Sequence, residues 1–468
     1  MSRERAVERR GGFTQRTVRW FDDRTGSAGG VRKVLRYVFP DHWTFLLGEI
    51  ALYSFVVLIG TGIFLTFFFE PSTATTTYHG AYAPLEGATV SKAFASAMNL
   101  SFDIRGGLLM RQTHHWAALV FVAAITLHLM RIFFTGAFRK PRDINYYVGV
   151  TMLMLVIVEG YAGYSLLDDL LSGMGLAIGN AVALSFPIFG ADLSNLIWDG
   201  QFPGSDAFMS RLFIVHVLIL PIAIATLLTI HLILVARPHH TQFAGPGKTE
   251  RNAIGSALWP VYALRSIGLL FAVSGVLFAL GGLIQINPIW QWGPYEPYQS
   301  TNAAQPDWYL GWLIGALRLM PPLEIRAFGS TLVPNPFFGG ALFPLLLFTF
   351  LYSWPWLERR ITGDRRLHNL LDRPRDNPLR TAVGSAVLTF CLIVFFAGSS
   401  DRIFLEFGIP YEGQVVALRI AVLALPVLIF LLVKRTCEEL RRTEAHPLRD
   451  FPGRVVRRTP GGGYEPEP

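Results

Sequence analysis

The chain has 468 residues, 51% of them hydrophobic and 13% aromatic but only 16% charged, with a mean hydropathy of +0.39. An ordinary soluble domain carries roughly 25% charged residues, so that class is excluded and an all-α polytopic membrane protein is expected. The formal net charge of +8 is explained below by topology and gives no reason to invoke nucleic acid.

Apolar runs of about 20 residues, enough to cross a hydrocarbon layer of roughly 30 Å, occur eight times. They lie near 45–69, 114–135, 146–167, 211–236, 264–286, 336–357, 381–398 and 414–434 and are designated spans A to H. The stretch 170–190 is interrupted by Gly173, Gly175, Gly179 and Pro187 and reads as a short interfacial helix. Residues 1–44 form a basic N-terminal segment without an evident cleavable signal, since the first apolar run starts too late.

Of the 41 Lys and Arg, 30 fall in the N-terminus, the B–C, D–E and F–G connections and the C-terminal tail, including "RERAVERR", "FRKPR" and "ERRITGDRR", and with Arg131, Arg265 and Lys434 at the adjoining span ends the number is 33. An even number of spans places all of these on one side, which the positive-inside rule makes cytoplasmic. Both termini are therefore expected in the cytoplasm. The A–B, C–D and E–F connections face outward and are rich in Trp, Tyr, Pro and Gly. Cys391 and Cys437 are too far apart in topology to form a disulfide framework, and no CxxCH haem-attachment motif is present.

Taken in chain order, span A carries Gly48 and Gly62; span B carries His114, His115 and His128; span C carries Gly149, Glu159 and Gly163; span D carries His216 and His231. At about 100° per residue, positions 14 apart differ by about 40° around a helix and positions 15 apart by about 60°. His114 with His128, and His216 with His231, thus share a face, whereas His115 is turned about 140° from His128. Each step is about 21–22 Å along the axis, so one histidine of each span lies near each membrane face. Spans B and D run the same way, so His114 is level with His216 and His128 with His231.

Two facing imidazoles can take both axial positions of a haem iron, leaving no open position, which means electron transfer. Two bis-histidine b haems are expected, held in a four-helix bundle of spans A–D and followed by spans E–H. A lone membrane histidine can equally be a packing residue or part of a proton relay; four with matched spacing are harder to obtain by accident. Arg111, Arg131 and Arg211 lie at membrane edges close to these histidines, where haem propionates would emerge; snorkelling at a helix end is the alternative. Gly48, Gly62, Gly149 and Gly163, again 14 apart in pairs, permit close approach of a flat ring, although small residues also serve helix packing. Glu159 is an intramembrane acid near the outer pair and a candidate for a proton path.

These features resemble the cytochrome b subunit of quinol:cytochrome c oxidoreductases, the respiratory cytochrome bc complexes. The resemblance covers nearly the whole chain. It rests on the two histidine pairs, the paired glycines, "DHWTFLLGEIALYSFVVLIGTGIFL" in span A, "GYSLL" after span C and "PDWYLGW" at 306–312. The 15-residue step in span D resembles the bacterial and plastid branches, and "RPHHTQFAGPGKTE" with the basic N-terminal extension looks actinobacterial.

The resemblance implies quinol oxidation near the outer face, with one electron leaving to an iron-sulfur protein. The other would pass through an outer, low-potential haem on His114 and His216 and an inner, high-potential haem on His128 and His231 to a quinone near the inner face. The family motif PEWY has its glutamate replaced by Asp307, whose reach is shorter by about 1.3–1.5 Å. Asp307 is expected to accept the quinol proton, with Tyr309 supplying a hydroxyl and Pro306 fixing the turn; Tyr164 and Gly175 align with positions lining that site. By itself "PDWY" could be an interfacial aromatic anchor. Where the family has GYxLPWGQ, "GYSLLDD" substitutes Leu167 and Asp168 for the Pro-Trp pair, and Asp168 with Asp169 could accept protons, bind a partner or form a solvated loop.

At the inner face, Arg265 and Ser266 of "WPVYALRSIGLL" fall where many relatives have Lys and Asp serving a quinone. Ser266 cannot act as an acid, and Arg237, His239 or His240 are possible substitutes. Partners implied by the resemblance are a Rieske iron-sulfur subunit, a c-type cytochrome, quinol and quinone, membrane lipid, and a dimeric complex open to a supercomplex with a terminal oxidase. The expected division is a basic segment 1–44, a dihaem unit 45–236, a quinol-site unit 237–434 and a polar tail 435–468, in a bacterial plasma membrane. The rival readings are a dihaem quinone-linked anchor of another oxidoreductase, which usually has about half as many spans, and a proton-coupled transporter, which should show internal repeats.

Overall fold

The structure is a computed structural model that describes residues 13–200, 202–299, 305–445, 456–458 and 464–466. The basic run at 3–10 and much of the tail after 445 lie outside the described residues. Eight helices are long and apolar enough to cross a membrane: Trp43–Thr66 (A), Gly107–Phe134 (B), Asp143–Leu167 (C), Asp206–Ala236 (D), Leu258–Leu283 (E), Phe338–Thr362 (F), Pro378–Gly398 (G) and Tyr411–Thr443 (H).

Each coincides with an expected apolar run, but several ends move outward. Span B begins well before His114 because Arg111, Gln112 and Thr113, polar by composition, are buried inside the helix. Gln112 explains how: its amide donates to Ile286 O at 2.8 Å and accepts from Ile286 N at 2.7 Å, so it replaces a backbone partner for the chain leaving span E. A hydropathy scan does not see such pairing. Span H runs past 434 because the charged sequence that follows continues the helix outside the apolar region.

Span D contains a π-helical turn at Val215–Ile219, with His216 inside it. A π turn accommodates an extra residue in a helix. The 15-residue step from His216 to His231 is thereby brought into closer phase with the 14-residue step of span B, a correction that the uniform 100° count does not contain.

Spans A and B pack together, span E lies against both, C packs on D and on F, and G packs on H and on the short helix Gly311–Leu319. Between the two histidine levels lies an apolar layer that includes Ala51, Leu119, Val122, Val156 and Ile224, with Phe55 stacked on Phe121 at 5.5 Å.

At one end the basic connections are tied together. Gln242–Phe243 of the D–E connection pairs in parallel with Leu370–Leu371 of the F–G connection, and Val38–Phe39 pairs antiparallel with Ser256–Ala257. From the B–C connection, Arg142 donates to His368 O at 2.7 Å, His239 O at 2.7 Å and Asn369 Oδ1 at 2.9 Å. Nearby, Arg380 is 1% exposed and is clamped by Glu358 and by Asp372 Oδ2 at 2.9 Å. The segments that charge counting assigned to one side do therefore meet at one end of the bundle.

At the other end, the run 170–190 forms the helix Leu170–Leu184 followed by Gly190–Trp198. Asp169 caps the first of these, accepting from Ser172 N at 3.1 Å, and is completely buried. Asp168 takes a left-handed φ of 52°, and its carbonyl accepts from Tyr295 N at 2.9 Å, which joins the C–D and E–F connections. Of the three roles open to the two acids, a solvated loop does not describe Asp169. Burial pushes both carboxyls up to about 6.

Candidate functional site

Two histidine pairs stand one above the other between spans B and D. The rings of His114 and His216 have centroids 6.3 Å apart with planes at 79°; those of His128 and His231 are 6.4 Å apart at 72°. Parallel spans with matched 14- and 15-residue steps produce this arrangement directly.

In the His114–His216 pair, a polar group fixes each ring through Nδ1. His114 Nδ1 is 2.9 Å from Thr61 Oγ1 of span A, and His216 Nδ1 is 3.0 Å from a Glu159 carboxylate oxygen and 3.2 Å from the Glu159 carbonyl of span C. A partner on one ring nitrogen fixes which nitrogen remains free for a metal, the usual second layer of a histidine ligand. Glu159, a candidate for a proton path by sequence, is here the orienting partner of His216, and its other oxygen is buried without a hydrogen bond.

The four glycines lie at the depths that their spacing implied, each beside one ring. A Cβ would lie 3.2 Å from His114 Cε1 at Gly62, 2.3 Å from His216 Cε1 at Gly163, 3.3 Å from His128 Cε1 at Gly48 and 3.8 Å from His231 Cε1 at Gly149. In this structure the close approach is to the imidazoles, with Gly163 the tightest.

The three arginines separate. Arg111 donates to Ser101 Oγ at 3.1 Å and Asn287 O at 3.3 Å, yet its Nη2 is buried without a partner. Arg131 lies over the Phe45 ring at 4.3 Å, and its Nε and Nη2 are likewise buried and unpaired. Arg211 is exposed and faces Asp199 at 3.5 Å.

His115 points away from the pairs, as its helical phase requires, and reaches the E–F connection. Its Nε2 is 2.6 Å from Asp307 Oδ1, with both side chains largely buried. Tyr309 donates to the other oxygen, Oδ2, at 3.2 Å. Following Pro306, Asp307 starts the short turn Trp308–Leu310 and its carbonyl accepts from Leu310 N at 2.8 Å. The Tyr309 ring is seated on Gly160 of span C, where a Cβ would come 2.4 Å from the hydroxyl. Burial and the adjoining Asp307 carboxylate hold the Tyr309 phenol well above its ordinary range, so it acts as a hydrogen-bond donor. Tyr164 donates to Leu171 O at 2.6 Å and packs on Gly175, with Cε1 2.9 Å from where a Cβ would stand. These residues line one end of the bundle near the His114–His216 level.

At the opposite end, Arg265 pairs with Asp41 at 3.0 Å on the exposed rim. Ser266 turns inward and donates to Glu49 Oε2 at 2.8 Å. The Glu49 carboxylate also accepts from Tyr262 through Oε1 and from Tyr53 through Oε2 at 3.3 Å, while Tyr53 and Ser266 hydrogen-bond each other. His239 and His240 lie one layer further out against Tyr37, whose hydroxyl is 3.1 Å from His240 Nδ1. Burial, with Arg142 nearby, pushes the His240 imidazole down to about 4. Sequence reasoning passed over Glu49 although an acid inside an apolar run, one turn from Tyr53, was the available signal. His115 carried a weaker one, a second histidine on the opposite face of a ligand helix.

Eight apolar spans around two stacked pairs of buried histidines define a multi-pass helical membrane protein of the paired-histidine redox class. A family model described as cytochrome b (N-terminal)/b6/petB matches residues 119–294. The cytochrome bc1 complex cytochrome b subunit of Streptomyces coelicolor is 46% identical over 451 residues, which cover 96% of this chain and 82% of that protein. The subunit of the same name from Mycobacterium tuberculosis is 45% identical over 445 residues, covering 95% and 80%. A chain of a hyperthermophilic respiratory Complex III shares the fold with a TM-score of 0.65 at 21% identity, over 89% of this chain and 99% of that one.

The chain belongs to the cytochrome b subunits of cytochrome bc1 complexes. It is thus a transmembrane protein of respiratory electron transport, and its family implies b-type haem.

The residues present fit such a group. Each ring-to-ring separation admits one metal atom bonded at about 2 Å to both imidazoles. Among the described residues no three His, Cys, Asp or Glu side chains converge on a metal position, so a group that brings its own equatorial ligands suits these sites. The unpaired buried donors of Arg111 and Arg131, and the unpaired His128 Nδ1, are polar atoms awaiting partners.

Proposed function

We propose that this subunit oxidises quinol at the His115–Asp307 end of the bundle and delivers electrons through two b haems to a quinone at the Glu49–Ser266 end. The observation that carries the reading is the pairing of two histidine levels with a buried, doubly hydrogen-bonded carboxylate beside one of them. His114 and His216 would hold the outer, low-potential haem, and His128 and His231 the inner, high-potential one. When bound, such a group would supply one-electron transfer.

The protein's own groups perform the rest. Thr61 and Glu159 present the outer imidazoles with Nδ1 occupied. Gly62, Gly163, Gly48 and Gly149 leave space beside the rings. Arg111 and Arg131 offer buried guanidinium donors to propionates; Arg211 would have to leave Asp199 to do the same.

A quinol that loses electrons must also lose protons. Asp307 accepts one, with His115 and Tyr309 holding its two oxygens in a fixed orientation and Pro306 fixing the turn that presents it. Tyr164 and Gly175 form part of the wall. At the inner end Ser266 and Arg265 border the quinone.

Two low-spin b haems with different midpoints in redox titration of the purified complex are the expected result; finding one haem or none overturns the reading. The complex named for the relatives supports partner subunits, read here as a Rieske-type iron-sulfur subunit and a c-type cytochrome; the assembly proposed for them is dimeric and open to a supercomplex with an oxidase. The setting is a bacterial plasma membrane with both termini cytoplasmic. The chain divides into a basic segment 1–44, a dihaem unit 45–236, a quinol-site unit 237–434 and a tail 435–468.

A further inference from the structure

Ser266 cannot deliver a proton, yet reduction of a quinone to a quinol requires two electrons and two protons. The side chain bonded to Ser266 can. We infer that Glu49 is the proton-donating carboxyl of the inner quinone site, a deduction that rests on the two-site reading above.

Glu49 and Tyr53 lie one turn apart on span A, and Tyr262 and Ser266 one turn apart on span E. The two pairs face each other across the A–E contact and form one knot of four polar side chains in an otherwise apolar interface. Gly48, the neighbour of Glu49, abuts His128, so the carboxyl stands at the level of the inner histidine pair.

A carboxylate is retained in such a position only when its oxygens are hydrogen-bonded, and three hydroxyl donors surround this one. Hydroxyls turn to accept as readily as to donate, so the same knot can hold Glu49 protonated or ionised. Arg265, which adjoins Ser266 in sequence, is engaged with Asp41 on the rim. His240 is separated from Glu49 by Phe39, which stacks on Tyr262 at 3.8 Å and lies 4.6 Å from the His240 ring.

In the step assigned to it, the Glu49 O–H bond breaks and an O–H bond forms on a quinone oxygen, while the two electrons come one each from two quinols oxidised in turn at the outer site, the other electron of each leaving to the iron-sulfur partner. The carboxylate left behind is reprotonated from water at the inner rim before the second proton is needed. A purely structural knot would join spans A and E equally well but take no part in electron exit.

The test uses the purified complex with Glu49→Gln, Glu49→Asp and the double variant Glu49→Gln/Ser266→Asp. For Glu49→Gln we expect unchanged spectra of both haems and an unchanged first turnover of haem reduction by quinol. Steady-state turnover should fall at least tenfold, with b haem accumulating in the reduced form because electrons cannot leave. Redox-difference infrared spectra should lose a carboxyl C=O band. Glu49→Asp and the double variant should each recover part of the turnover, the latter by returning an acid from span E.

Turnover within twofold of wild type in Glu49→Gln, or an intact carboxyl band, would overturn the assignment. Loss of the haem spectra in Glu49→Gln with no recovery in the double variant would overturn it as well, marking the knot as structural. If wild type itself shows no two-haem reduction by quinol, it is the two-site reading that fails.

Discussion

His115 and Asp307, 192 residues apart in sequence, meet at 2.6 Å between Nε2 and Oδ1. The histidine that helical phase turns away from the paired imidazoles is the one that grips the Asp307 carboxylate. Because aspartate is shorter than the glutamate of the family motif, its position depends more on such partners, and it has two, His115 and Tyr309.

Replacing Asp307 with Asn keeps its size and removes its capacity to take a proton. General-base groups contribute about 10²–10⁴-fold, so quinol oxidation should slow by about 10²-fold or more with both haem spectra intact. Turnover at the wild-type level would show that Asp307 is not the acceptor.

His115 and His114 should separate cleanly. His114→Leu should abolish the outer haem signal, whereas His115→Leu should keep both haems and slow turnover. His115→Gln, which retains an N–H donor of similar reach, should recover part of that loss. Haem loss in His115→Leu but not in His114→Leu would reverse the phase argument.

Glycine at 163 should tolerate no side chain. A Cβ there lies 2.3 Å from His216 Cε1, against 3.8 Å from His231 Cε1 at Gly149. Overpacking of this kind costs about 1–3 kcal/mol, so Gly163→Ala should lower thermal stability and perturb the outer haem spectrum. Gly149→Ala should perturb the inner spectrum less than Gly163→Ala perturbs the outer one, and equal effects at both positions would contradict the geometry.

Arg380 joins spans F and G through Glu358 and the F–G connection through Asp372. Removing one partner of a buried ion pair costs about 3–5 kcal/mol because the other charge is left unpaired. Arg380→Met should therefore reduce the thermal stability of the complex in detergent markedly more than the double change Arg380→Met/Glu358→Gln. A smaller loss in the single variant would count against the clamp.

Asp168 and Asp169 give this end of the bundle a pH dependence of definite sign. Burial raises both carboxyls to about 6 in the folded chain, above the unfolded value of about 3.9, so the folded state holds more protons in this window. Their contribution is fully present below about pH 4 and is lost as pH rises through about 6. Amide exchange in Leu170–Leu184 should be more protected at pH 5 than at pH 7, and Asp168→Asn/Asp169→Asn should flatten the difference. A slope that survives the double variant would assign it to other groups.

Much of this protein follows from its sequence alone, because the deciding physics is local. Span count depends on runs of apolar residues against a fixed hydrocarbon thickness, and the faces of His114, His128, His216 and His231 depend on helical periodicity. The paired glycines share that periodicity, and each was found beside its ring. What only the tertiary structure decided are contacts whose geometry no local pattern encodes. The rotation of span B against the E–F connection joins His115 to Asp307; the packing of A on E brings Glu49 to Ser266, 217 residues away. Glu159 reaches His216 across the C–D contact. The π turn at Val215–Ile219 absorbs the extra residue of span D. Each depends on how one helix is turned relative to another, set by packing over the whole bundle.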